Sequence, residues 1–284
     1  MYGRRAAAGR CLAIAFLQKT HKVTPRFLDS VKRAKQQVER CSGYHRVLFI
    51  APHTPLNASS SSNGTALNGT QQLANGTAAV DDSIAALRAI LGEGVLGIGP
   101  ADYALAFGLE RSDIKLFSHD LPANITHVWV AEYDVDWTGD LPFVLSVFPP
   151  TADYICSTDF KSDGINIGSG WVHFRNHNWL HDSEVKQCFM MLAGYSIRML
   201  RAFQAETLLG HRQFSEIGGV SICHRHWPWC KIESFDRKHE VVGKAKDGSS
   251  LYSFNRMITP EMWTEIQASA PPPPQGHIYH ALKW

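Results

Sequence analysis

The chain has 284 residues, 44% hydrophobic and 11% aromatic, which supports a sizeable core in one large domain or two small ones. A formal net charge of +2, charged residues at only 19% and the lack of any Lys/Arg run argue against a nucleic-acid binder. No apolar stretch reaches the roughly 18 residues that a membrane-spanning helix needs, so no transmembrane helix is expected in this chain. The six cysteines are spread out with no CxxC pair, which excludes a small disulfide scaffold and weakly favours an oxidising compartment. The 14 histidines offer metal ligands and proton carriers near neutral pH.

Residues 1–20 start basic and turn apolar. A weak signal peptide shares those traits, but the run is short and lacks a clear cleavage site, so a strand is expected. The protein's true start can lie upstream of Met1. Thr24 is a good N-cap and Pro25 suits a first helical position; Phe27, Leu28, Val31, Ala34 and Val38 then recur at helical spacing. "HRVLFIAPH" reads as a second strand. Strand, helix, strand predicts an α/β domain with a parallel sheet.

Residues 54–80 are Ser, Asn, Gly and Thr with almost nothing to bury, and read as a disordered surface insertion. Asn57, Asn63, Asn68 and Asn75 head glycosylation sequons there, and Asn124 heads another. Each one alone is explained by composition; together they lean toward the secretory pathway or Golgi lumen, with the cytoplasm still open. "VDDSIAALRAILGEG" predicts a capped helix, "IKLFSHDL" a strand or edge segment, "DLPFVLSVFPP" a short helix stopped by proline, and "ADYICSTDF" a strand. From Asp182 to about Leu209 the pattern predicts one long helix, capped by Asp182 or Ser183 and ended by Gly210. Its buried stripe would be Val185, Cys188, Phe189, Leu192, Met199, Leu200 and Phe203. A Pro-rich tail follows from residue 270 and leads to "HIYHALKW".

"HVWVAEYDVDWTGD" (127–140) begins as a buried strand and ends in acid. In an extended strand Val128, Val130, Glu132, Asp134 and Asp136 share one face. In open α/β sheets the ligand crevice lies beyond the carboxyl ends of strands. Clustered carboxylates repel and are costly to bury unpaired. Mg²⁺ or Mn²⁺, which prefers one or two carboxylates plus phosphate oxygens and water, removes that cost and would neutralise a diphosphate leaving group. The plain alternative is a solvated or Arg-paired acidic turn.

"WVAEYDVDWTGD" resembles the acidic motif of a family of glycosyltransferases of the nucleotide-diphospho-sugar (GT-A-like) type. That motif runs Glu, any residue, Asp-Val, two residues, then Ser/Thr-Gly. Glu132, Asp134, Val135, Thr138 and Gly139 match it, while Asp136 falls where relatives often carry another residue. Gly210 and His211 in "LLGHRQF" match a Gly-His segment. Tyr279, His280 and Lys283 match a closing Tyr-His-Pro-Val-Lys motif. The resemblance implies a single GT-A-like α/β domain over residues 1–284, with a mixed, mainly parallel sheet flanked by helices. It implies sugar transfer from a nucleotide-diphosphate donor to a glycan, protein or lipid acceptor. Glu132 and Asp134, with Asp136 auxiliary, would orient Mn²⁺ or Mg²⁺; His280 and Lys283 would touch phosphate; His211 would lie near the leaving group or acceptor. Relatives place an acid two residues after that histidine, where this chain has Gln213, and Glu216 is the nearby substitute. Ala281 replaces the usual proline. Those departures keep a non-catalytic carbohydrate-binding descendant open as a rival.

Two other stretches carry chemistry. Cys223, His224, His226 and Cys230 in "CHRHWPWC" suit a disulfide or an aromatic corner better than zinc, whose usual ligand spacings are absent. Trp171, His173, Arg175, His177, Trp179 and His181 suit sugar stacking as well as a half-buried edge. A metal-dependent hydrolase built on these histidines is the more distant rival. No GxGxxG, P-loop or GxSxG pattern occurs.

Overall fold

The structure is a computed structural model that describes residues 13–41, 43–50, 82–98, 121–157, 177–211, 213, 215–226, 228–235, 241–253 and 256–284. The insertion at 54–80, most of "IKLFSHDL", and Trp171, His173 and Arg175 lie outside the described residues.

The described elements of the first half fold as their pattern predicts. Strand β1 (Ile14–Thr20) is buried along its whole length. Helix α1 (Pro25–Arg40) starts where the Thr24 hydroxyl accepts the Phe27 N–H at 3.1 Å, with Pro25 in the first turn. Its Phe27, Val31, Ala34 and Val38 are buried. β2 (Tyr44–Ile50) returns parallel to β1. A helix over residues 82–91 (α2) leads through a tight turn to β3 (Val95–Ile98), parallel to β2. β4 (His127–Glu132) lies on the other side of β1, also parallel.

After β4 come a two-residue strand β5 (Asp136–Trp137), the short helix α3 (Leu141–Leu145) and β6 (Tyr154–Ser157). The single long helix expected from Asp182 to Leu209 is not formed. Its first part is a strand, β7 (Phe189–Ser196), and only Ile197–Leu208 is helical (α4). Neither Asp182 nor Ser183 caps that helix; the Ser196 hydroxyl does, accepting the Met199 N–H at 3.0 Å. The cause of the misreading is burial on both faces. Phe189, Met190, Leu192, Ala193 and Tyr195 are all buried, so no two-residue alternation betrays the strand. Gly210 does close α4, at φ +80°. Helix α5 (Ser215–Arg225), β8 (Ile232–Ser234), α6 (Pro260–Ser269) and β9 (Ile278–Tyr279) complete the chain.

The main sheet has seven strands in the order β3-β2-β1-β4-β7-β6-β8. β7 runs antiparallel to both β4 and β6, and the other pairings are parallel. One face packs on α1 and α3 through Ala34, Val38, Val144 and Trp129. The other packs on α4 and α5 through Val128, Val130, Phe203 and Ile222. The fold is therefore α/β, a mixed, mostly parallel sheet between helical layers. β5 and β9 form a separate antiparallel pair that ties the C-terminal stretch to the end of β4.

Candidate active site

β4 alternates cleanly through the core and then stops. Val135 N–H donates to Glu132 C=O at 3.1 Å, so Tyr133 and Asp134 form a turn. The shared face expected for Glu132, Asp134 and Asp136 ends there. Asp136, on β5, is buried and pairs with two cations of α1: Arg26 at 3.1 Å and Arg33. Arg26 also donates to the Tyr133 carbonyl, and the Arg33 guanidinium lies 4.7 Å from the Trp137 ring centroid. Asp136 is thus placed as a structural anchor, with its carboxylate occupied by arginines.

Asp134 is only 3% exposed, and its Oδ1 has no hydrogen-bond partner among the described residues. Oδ2 lies 3.3 Å from His280 Nε2 and 4.0 Å from Lys283 Nζ. His280 is fixed from behind, since its Nδ1–H donates to the Ser253 carbonyl at 3.1 Å. The ring is thereby oriented with Nε2 toward Asp134, and a partner on the far nitrogen is the arrangement found for metal-ligating histidines. The Leu282 N–H donates to the Asp134 carbonyl at 2.9 Å.

Thr138 and Gly139 bring the C-terminal stretch to this carboxylate. The Thr138 N–H donates to the His277 carbonyl at 2.9 Å, and the His277 N–H donates to Thr138 Oγ1 at 3.1 Å. Gly139 adopts φ +69°, and a Cβ there would overlap the Gln275 carbonyl; a Cβ on Gly276 would overlap the Thr138 carbonyl. The Ser/Thr-Gly half of the acidic motif therefore serves as the clasp that delivers His280 and Lys283.

Glu132 stands beside the buried Lys19, its register partner on β1. Burial pushes the Glu132 carboxyl above its usual range; Lys19 opposes that, Asp134 adds to it, and His280 and His21 oppose it. Glu216, in the first turn of α5, is likewise pushed up, first by burial, against a hydrogen bond from Gln187 at 3.0 Å and with repulsion from Glu132. Glu216 thus lies within electrostatic reach of the acidic strand end.

His211 belongs to a second cluster. Its Nδ1 meets Glu206 Oε2 at 2.5 Å, and its ring stacks on Trp179 with centroids 4.5 Å apart. Gln213 is buried and accepts the Trp179 indole N–H at 2.9 Å. Cys223 and Cys230 form a disulfide, which removes them as zinc ligands. Sequence reasoning missed Lys19, though a lysine two from the end of an apolar strand was a usable signal. It also missed Arg26 and Arg33, which look like ordinary helix-surface charges until Asp136 is seen between them.

Among the described residues no three His, Cys, Asp or Glu side chains converge as a ready-made metal cage. Asp134, with its unpartnered Oδ1, and His280 Nε2 beside it still fit a hard divalent cation that draws its remaining ligands from phosphate and water.

The fold and this strand-end cluster define an α/β protein whose acidic strand end is buried against residues 276–284. No protein-family model matches the chain, and no curated protein matches it significantly. Among solved structures it is similar to the apo form of mouse xyloside xylosyltransferase 1, at 8% identity and TM-score 0.36, over 96% of this chain and 98% of that one. It is also similar to the mannosyltransferase Ktr4p from S. cerevisiae, at 10% identity and TM-score 0.29, over 74% of this chain and 62% of that one.

Proposed function

We propose that the protein transfers a sugar from a nucleotide-diphosphate donor to an acceptor hydroxyl, with Mn²⁺ or Mg²⁺ held at Asp134. The observation that carries this reading is the buried Asp134 carboxylate, one oxygen unpartnered and the other facing His280 Nε2 and Lys283 Nζ. An unpaired oxygen at the carboxyl end of a parallel strand is costly to keep unless a ligand completes it. Asp134 and His280 would hold the cation, with Glu132 alongside. The cation would neutralise the diphosphate leaving group. Lys283, half-exposed, reaches toward the same place and would bind phosphate oxygens. His211 and Glu216 are the candidates for work on the acceptor side. The secretory pathway or Golgi lumen suits the Cys223–Cys230 disulfide. Among the described residues no helix is long and apolar enough to cross a membrane.

The test is calorimetric titration of UDP-sugars and GDP-sugars with Mn²⁺ and with EDTA. Wild type should bind a donor only with metal. Asp134→Asn should keep its cooperative melt and lose that binding. Equal binding in EDTA, or wild-type binding by Asp134→Asn, would sink the metal-diphosphate role.

A further inference from the structure

The end of α4 is an apolar corner turned to water. The Gly210 N–H donates to the Thr207 carbonyl at 3.0 Å and the His211 N–H to the Glu206 carbonyl at 3.1 Å, so the chain reverses at Gly210. A reversal of this kind often covers an apolar contact made by the residue after the glycine. Here that residue is His211, whose Nδ1 meets Glu206 Oε2 at 2.5 Å. Leu208 and Leu209 are left 81% and 71% exposed. Met257 is the other large apolar side chain so exposed among the described residues.

Cations and an indole ring adjoin the corner. Arg201 is exposed seven residues before Leu208, on the same stripe of α4. The Asn178 side-chain amide donates to the Gly210 carbonyl at 3.1 Å, which brings Trp179 beside the turn. Trp179 is half-buried and stacks on His211, with centroids 4.5 Å apart. Arg225, exposed at the end of α5, holds its guanidinium 4.9 Å from the Trp179 centroid. The acid of α4, Glu206, is buried between His211 and His226, so the exposed face of that helix carries arginines and no carboxylate. The exposed acid nearest Trp179 in sequence is Asp182.

A second copy of the chain is a poor match for this corner. Stable protein interfaces use roughly 20–30 residues a side, and two leucines offer far less. A lipid surface asks for less: apolar side chains to enter the acyl boundary, an aromatic ring at headgroup level and cations for anionic headgroups. The corner supplies all three, with the sign of charge that an anionic leaflet attracts. We propose that it is a docking point for an anionic lipid surface. Leu208 and Leu209 enter the acyl boundary, Trp179 lies among the headgroups, and Arg201 and Arg225 face the lipid phosphates. The docking is independent of the chemistry at Asp134.

The experiment floats the full chain with vesicles of phosphatidylcholine alone and of phosphatidylcholine with phosphatidylserine, at low and high salt. Wild type should bind the mixed vesicles, bind the neutral ones more weakly, and release as salt rises. The double variant Leu208→Ser, Leu209→Ser should keep the melt, and its partition should fall at least about tenfold. Arg201→Gln should lower it about fivefold. Leu208→Cys carrying an environment-sensitive dye should shift its emission to the blue when vesicles are added, a reading that holds even where the serine pair lowers the melt. Wild type that stays unbound with the mixed vesicles would overturn the docking point. Undiminished binding by the double variant, or an unshifted dye on bound protein, would overturn it as well. A concentration-dependent dimer in sedimentation that the double variant abolishes would assign the corner to a second copy, and overturn it too.

Discussion

His45 shows how much one side chain can contribute to the pH behaviour of this protein. It is buried in β2, where its Nε2–H donates to Gln18 Oε1 at 3.0 Å, and the Gln18 amide donates to Ser30 Oγ at 3.0 Å. Its Nδ1 has no partner among the described residues. Burial, with the Lys35 ammonium adding to it, lowers the pKa from 6.5 to about 3. The unfolded chain takes up this proton near pH 6.5, whereas the folded chain resists until about pH 3. The stability contributed by the neutral ring is therefore complete above pH 6.5 and is lost as the pH falls through that window. The loss should be about 1.4 kcal/mol per pH unit. Denaturant unfolding at several pH values should show that slope, and His45→Leu should be less stable at neutral pH but flatter below it. An unaltered slope in the variant would assign the acid sensitivity elsewhere. In the sequence, His45 is one of 14 histidines with no motif around it; only its enclosure gives it this property.

At the scale of elements, β7 is the strand that runs antiparallel to both of its neighbours, β4 and β6. Leu192 is 1% exposed between β4 and β6, and its N–H donates to the Tyr252 hydroxyl at 2.7 Å. Leu192→Asp would bury an unpaired charge in the middle of the sheet and should abolish soluble expression; normal yield with a cooperative melt would contradict the placement. The burial of Leu192 was legible in the sequence, but the element carrying it was not, because an apolar run covered on both faces has no period to read. The caps were legible where a Thr-Pro pair opened α1 and where Gly210 closed α4. The acidic strand end was legible as well, up to the turn. Past Glu132 the alternation argument failed, since a turn resets which way each side chain points. That is why Asp136 was grouped with Asp134 when it in fact binds Arg26 and Arg33. Gly139 tests the clasp between elements. Gly139→Ala meets both a left-handed backbone and an overlap with Gln275, so it should cost about 1–3 kcal/mol and displace the C-terminal stretch. Donor binding should weaken far more than the sheet's own unfolding cooperativity. Wild-type donor binding in that variant would mean His280 and Lys283 reach Asp134 by another route.

At the scale of the whole molecule, both helical layers carry covalent ties. The layer on α1 and α3 is held by its core and by the arginine pairs to Asp136, and Cys41 at the end of α1 is disulfide-bonded. The layer on α4 and α5 has the Cys223–Cys230 bond, seven residues apart. Closing so short a loop should contribute about 2.5 kcal/mol in the chain-entropy account. The double variant Cys223→Ser, Cys230→Ser should therefore melt several degrees lower, and reducing agent should have little further effect at this pair. An equal melting temperature would mean that strain in the folded state offsets the entropy the bond removes from the unfolded chain. Asn124 gives a compartment readout in the same experiment series, because its sequon sits in an exposed turn; protein made through the secretory pathway should carry a glycan there.

The clasp at Gly139 and Gly276 also sets an order of events during synthesis. Asp134 leaves the ribosome long before His280 does, while β1, α1, β2 and β4 already hold the pieces of a sheet. Until residues 276–284 emerge, the carboxylate has no imidazole or ammonium facing it. The nascent chain can therefore be compact while the Asp134 carboxylate still lacks the partners that residues 276–284 bring to it.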